Sequence, residues 1–140
     1  MAHKILHVED NADDAMLVAL AFRRAGCAVE LHLASDGDKA IAALRSDVPD
    51  ALPGCVLLDI KLPSMSGLDV LAWIRGQQHL RGLPVIILSS SGLPEDINRS
   101  YAMGANSYLI KPSDLDSLTE LAKTIDLYWL QTNIRSFASA

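Results

Sequence analysis

The chain has 140 residues, half of them hydrophobic, with 12 Lys and Arg against 17 Asp and Glu and a net charge of -5. That size and apolar content suit one domain with its own core and exclude a disordered chain. The acidic balance argues against a nucleic-acid surface, which needs a basic patch, and no apolar run nears the roughly 18 residues of a membrane span.

In chain order, residues 4–8 (Lys-Ile-Leu-His-Val) read as a first strand running into Glu9-Asp10, with no signal peptide before it. Asn11 is placed to cap a helix over 12–25, with Asp13 and Asp14 in its first turn and Met16, Leu17, Leu20 and Ala21 along one face. Gly26 stops it. Cys27 lies just beyond and, like Cys55, lacks CxxC or zinc-finger spacing, so both read as reduced thiols of a cytoplasmic protein. Residues 29–33 alternate apolar with polar, as an edge strand does, and Ser35-Asp36-Gly37 leads into a short helix carrying Ala40, Ile41 and Leu44.

A loop over 47–54 with two prolines precedes the central strand, whose apolar Val56-Leu57-Leu58 ends in Asp59. A short continuous apolar run suits a strand buried on both faces of a parallel sheet. The spacing predicts a helix over 68–77 with Val70, Leu71 and Ile74 facing inward. It then predicts a strand over 84–88 ending in Ser89-Ser90-Ser91, and a helix over 95–103. A last strand over 106–110 ends in Lys111-Pro112, and Ser113 or Asp114 caps a final helix to about residue 130. Strand and helix alternate five times, which predicts a doubly wound α/β fold: a five-stranded parallel sheet with helices on both faces. The domain is expected to span 1–131, with a tail over 132–140 and no output domain. No pair of the four histidines has metal-ligand spacing on a helix, so all read as satisfied or solvated side chains.

In such sheets ligands gather beyond the carboxyl ends of the strands. Those ends carry Glu9-Asp10, Asp59, Ser89 and Lys111. Carboxylates placed together repel one another, and a hard divalent cation with oxygen ligands relieves them; Mg²⁺ fits, because it accepts few carboxylates plus waters. A hydroxyl and an ammonium beside them suit the charge that develops on a phosphoryl group attached to Asp59. Taken singly, each group has a plainer reading: a capping pair, a polar loop, a solvated lysine. Together they point to phosphoryl transfer to aspartate.

These residues resemble a two-component response-regulator receiver domain over essentially the whole chain. Glu9-Asp10 matches the acidic pair, Asp59 the phosphoacceptor, Ser89 the hydroxyl position, Lys111 the lysine, and Pro63 and Gly67 the loop after the acceptor. The resemblance implies a flavodoxin-like strand order 2-1-3-4-5. It implies Mg²⁺ on Asp10, Asp59 and the Lys61 backbone carbonyl, with Glu9 acting through water. It implies a switch in which Ser89 moves toward the phosphoryl group and Tyr108 turns inward, and a Lys111–Pro112 bond that is often cis. Such a domain is a phosphoacceptor rather than a turnover enzyme. The run Ile125-Asp-Leu-Tyr-Trp-Leu130 is similar to single-domain regulators that partner phytochrome-type histidine kinases. Lys61 stands where Asn is more usual in that subfamily, which bears on the rate of dephosphorylation. Two rival readings are a degenerate receiver acting as a constitutive interaction module, and a hydrolase of the haloacid-dehalogenase class. The hydrolase needs a second acid two residues after the nucleophile, where Lys61 stands.

The last helix offers one stripe for the sheet: Leu115, Leu118, Ala122, Ile125 and Trp129. Leu121 and Tyr128 fall off that stripe, and Ile134 and Phe137 extend the apolar content into the tail. A homodimer with Leu121, Tyr128, Trp129 and Ile134 in its interface is therefore expected; the alternative is a tail folded back over its own domain.

Overall fold

The computed structural model describes residues 3–46, 48 and 51–136. Its elements are β1 (His3–Val8), α1 (Ala12–Arg24), β2 (Val29–Ala34), α2 (Gly37–Leu44), β3 (Cys55–Leu58), α3 (Gly67–Gly76), β4 (Val85–Ser89), α4 (Pro94–Ala102), β5 (Ser107–Ile110) and α5 (Leu115–Ile125). All strand pairings are parallel, and the order is β2-β1-β3-β4-β5, the flavodoxin-like arrangement.

Period-two alternation along the central strands explains why they read as unbroken apolar runs. Leu6, Val8, Val56, Leu58, Val85 and Ile87 face α2 and α3, in a cluster with Leu44, Leu71 and Ile74. Ile5, Leu57, Ile86 and Leu88 face the other way, against Val18 and Phe22 of α1 and Leu118, Ala122 and Ile125 of α5. Both faces of the inner strands are covered, and His7 of β1 is the one buried polar side chain within them before the strand ends. That geometry leaves the strand ends as the place where charge can stand.

Several expectations change. The buried face of α1 is Ala15, Val18, Ala21 and Phe22, while Met16 is 64% and Leu17 43% exposed. The helix is rich in Ala and Leu throughout, so more than one apolar face was available. Contact with both the sheet and α5 selects among them. A 3-10 turn, Gln78–Leu80, follows α3 and buries Leu80. The final helix does run past Ile125, but as a π-helix over Asp126–Thr132. There Asn133 N–H donates to Tyr128 O at 2.6 Å and Thr132 Oγ1 to Leu127 O at 2.6 Å, both five residues back. Among the described residues no peptide bond is cis, so Lys111–Pro112 is trans.

The expected dimer residues divide between core and surface. Leu121 and Trp129 pack partly against this chain's own core, while Tyr128 is 49% and Ile134 92% exposed. The tail folds back under the sheet: Arg135 Nη1 donates to Pro53 O at 3.3 Å, and the Ser136 main chain lies against Gly82. Phe137 and residues 47, 49 and 50 of the proline-containing loop lie outside the described residues.

Candidate functional site

Three main-chain hydrogen bonds carry the register past the last strand residues and set the site. Glu9 N–H donates to Ala34 O at 3.0 Å, Asp59 N–H to Val8 O at 3.1 Å, and Lys111 N–H to Ser89 O at 2.8 Å. Each functional residue is thus fixed one step beyond a strand, at the carboxyl edge of the sheet. Carboxylate oxygens of Glu9, Asp10 and Asp59 all lie within 4.8 Å of one another.

Lys111 reaches into this group from the far end of the chain. Its Nζ is 2.6 Å from Glu9 Oε1, 3.1 Å from Asp14 Oδ2 and 3.8 Å from Asp59 Oδ2. The second oxygen of Glu9 accepts the Asn11 N–H at 3.2 Å, and Asp59 Oδ1 accepts the Lys61 N–H at 3.4 Å. The lysine is therefore committed chiefly to Glu9 and Asp14, and Asp59 is under-compensated. Burial and the neighbouring charge of Glu9 push the Asp59 carboxyl up to about 6, against the pull of the Lys111 ammonium and the Lys61 N–H. Burial opposes the charge on Lys111, but its hydrogen bond to Glu9 and the surrounding carboxylates outweigh that and raise it. His7, on the strand beneath, is brought down to about 4 by burial and by the Lys111 charge, so its imidazole is neutral near pH 7.

The loop after Asp59 holds that residue from behind. Gly67 N–H donates to Ile60 O at 2.7 Å. A Cβ at Gly67 would collide with the Asp59 carbonyl oxygen and sit 2.9 Å from Ile60 Cα, so only glycine permits this approach. Within the loop Ser64 takes a positive φ of 69° in a three-residue turn closed by Met65 N–H to Pro63 O at 2.8 Å.

Ser89 ends β4 at 2% exposure, and its Oγ accepts the Ser91 N–H at 3.2 Å. Among the described residues no hydrogen bond joins it to Asp59. Tyr108 is half-buried against the α3-side cluster, and its hydroxyl donates to Ser91 O at 2.8 Å. Asp14 is the member that sequence reasoning missed. It was read only as a favourable charge in the first turn of α1, although it closes an acidic run that begins at Glu9.

A family model for the response regulator receiver domain matches residues 5–123. The chain belongs to that family. Two relatives cover nearly all of this receiver. The probable methanogenesis regulatory protein FilR2 of Methanothrix harundinacea is 40% identical over 131 residues, 92% of this chain and 84% of FilR2. Response regulator Rcp1 of Synechocystis is 34% identical over 131 residues, 91% of this chain and 89% of Rcp1. A crystal structure of the phosphorylated cyanobacterial phytochrome response regulator RcpA superposes with a TM-score of 0.86 at 35% identity, covering 96% of this receiver and 99% of RcpA. Rcp1 has also been solved in a Mn²⁺-bound form, which superposes at a TM-score of 0.81 with 32% identity, covering 96% of this receiver and 99% of that chain.

Proposed function

We propose that this receiver accepts a phosphoryl group on Asp59 from a histidine kinase in the cytoplasm and switches protein–protein contacts in response. The observation that carries this reading is the under-compensated Asp59, set among two further carboxylates and an ammonium at the strand ends. Asp59 Oδ attacks phosphorus in line as the histidine N–P bond breaks, and the bonding pair stays on the imidazole nitrogen. The Lys111 ammonium, 3.8 Å from Asp59 Oδ2, faces the incoming oxygens. The acceptor is a partner in signalling rather than a turnover enzyme, and the switching unit is residues 1–131 with 132–140 as its tail.

The donor set suits Mg²⁺: hard oxygens, close together, with more negative charge than one lysine offsets. Asp10, Asp59 and the Lys61 carbonyl would hold it directly and Glu9 through water. When bound, the ion neutralises charge on the phosphoryl oxygens. Ser89 and Tyr108 are the switch residues. The C-terminal run Ile125–Leu130 and the near-complete coverage of RcpA favour a phytochrome-type kinase as donor. Exposed Tyr128 and Ile134 support a homodimer at the C-terminal face. Light scattering tests it: Tyr128→Ala with Ile134→Asp should convert a dimeric chain to a monomer, and a wild type monomeric at tens of micromolar with and without phosphorylation refutes it.

One experiment tests the central reading. Incubation with acetyl phosphate and Mg²⁺, read by intact mass, should give one phosphoryl adduct that is absent from Asp59→Asn. Turnover of the donor without an adduct points to a hydrolase, and no reaction at all points to an inert interaction module.

A further inference from the structure

α4 begins differently from the other α-helices. α1, α2, α3 and α5 start at Asn11, Asp36, Ser66 and Asp114, each of which accepts a helix N–H with its own side chain. Leu93, the corresponding residue of α4, has no such group. A helix start leaves main-chain N–H groups without intrahelical partners, so something else must hold it. Ser91, two residues upstream, takes that place. Its Oγ accepts the Leu93 N–H at 3.3 Å and donates to Asp96 Oδ2 at 2.6 Å.

The same residue is tied to both switch positions. Its N–H donates to Ser89 Oγ at 3.2 Å, and its carbonyl accepts the Tyr108 hydroxyl at 2.8 Å. One serine therefore joins the hydroxyl at the end of β4, the aromatic of β5 and the first turn of α4. Other contacts that hold α4 are few: Ser100 is its one fully buried residue, Leu93 is exposed, and the half-exposed Tyr101 accepts the Tyr108 N–H with its hydroxyl at 3.1 Å.

Resting on the reading that Asp59 is phosphorylated, we propose that Ser91 is a positioning residue whose hydroxyl carries the state of Asp59 into helix α4. No hydrogen bond joins Ser89 to Asp59 among the described residues, and in the switch proposed above Ser89 turns to meet a phosphoryl oxygen. Turning withdraws its oxygen from the Ser91 N–H. Of the bonds at Ser91, the hydroxyl–carboxylate pair with Asp96 is the shortest and is charge-assisted, and such bonds are roughly twice as strong as neutral ones. The weaker 3.2 Å bond yields first, and the start of α4 follows Ser91 rather than parting from it.

Hydrogen exchange on the full chain, with and without acetyl phosphate and Mg²⁺, tests this beside intact mass. Ser91→Ala keeps the main-chain bonds and removes both hydroxyl bonds. In the variant, peptides covering 93–98 should exchange about tenfold faster than wild type before phosphorylation, as loss of a charge-assisted bond implies. Phosphorylation should then leave those peptides unchanged, although the mass adduct forms to the wild-type extent. Ser91→Thr should restore both protection and response. If the start of α4 in Ser91→Ala keeps wild-type protection, or responds to the adduct as wild type does, the proposal is overturned. A wild-type chain that takes no adduct sinks the phosphoacceptor reading and this proposal with it, and mass alone separates that case.

Discussion

Replacing Asp59 by Asn should stabilise the metal-free protein, by an amount that depends on pH. Folding moves the Asp59 carboxyl from 3.8 up to about 6, through burial and the charge of Glu9. The folded state therefore holds a proton more tightly than the unfolded chain across this interval, and ionising Asp59 costs stability as pH rises through it. A shift of about two units at about 1.4 kcal/mol each amounts to about 3 kcal/mol above pH 7. Below about pH 3 the carboxyl is largely protonated in both states and the cost nearly vanishes; at pH 5 roughly half of it is present. Asn keeps the shape and never ionises, so the gap between mutant and wild type should open from about pH 3 to about pH 7 and then stay level. Urea unfolding in EDTA at pH 4, 5, 6 and 7.5 measures it, and the difference between the two proteins cancels every group they share. Excess Mg²⁺ at pH 7.5 should close the gap from the wild-type side, because a ligand stabilises only the state that binds it. A gap that is constant across pH would show that packing, not charge, separates the two proteins and would refute the reasoning.

Three further outcomes follow from the same geometry. Gly67→Ala places a methyl group against the Asp59 carbonyl, so it should cost about 1–3 kcal/mol in urea unfolding and slow labelling by acetyl phosphate, since the backbone must shift. Unchanged labelling would show that the loop does not position the acceptor. Lys111→Met leaves Glu9, 1% exposed, without its ion-pair partner, and should cost about 3 kcal/mol at neutral pH. Thermal melts of the variant and the wild type at pH 7.5 will show that loss. Asp10→Ala should weaken Mg²⁺ binding at least tenfold by titration calorimetry while leaving the melting temperature in EDTA nearly unchanged, because Asp10 is exposed.

The strands, their parallel arrangement and the strand-end position of Asp59 could be read from the chain because each is signalled locally. Val56-Leu57-Leu58 and Val85-Ile86-Ile87-Leu88 can only be buried on both sides, and each apolar run breaks at the first polar residue, Asp59 or Ser89. In a parallel sheet those breaks fall on one edge, which is why residues from four strand ends could be expected at one site before any coordinates. Which partners they choose was not legible. Lys111 meets Glu9 and Asp14 across 102 and 97 residues, and nothing in the acidic run distinguishes Asp14, which touches the lysine, from Asp13 beside it. The inward face of α1 was misread for a related reason: Met16 and Val18 are equally apolar, and only contact with α5 and the sheet decides between them. The change to a π-helix after Ile125, and the packing of Leu121 partly against this chain's own core, likewise depend on packing rather than on composition, whereas Trp129 lies on the stripe expected to cover the sheet. Period and propensity act over one or two turns, so sequence determines which residues stop a strand or start a helix. Distances between side chains a hundred residues apart are set by how the layers settle against each other, and that is decided only in the folded molecule.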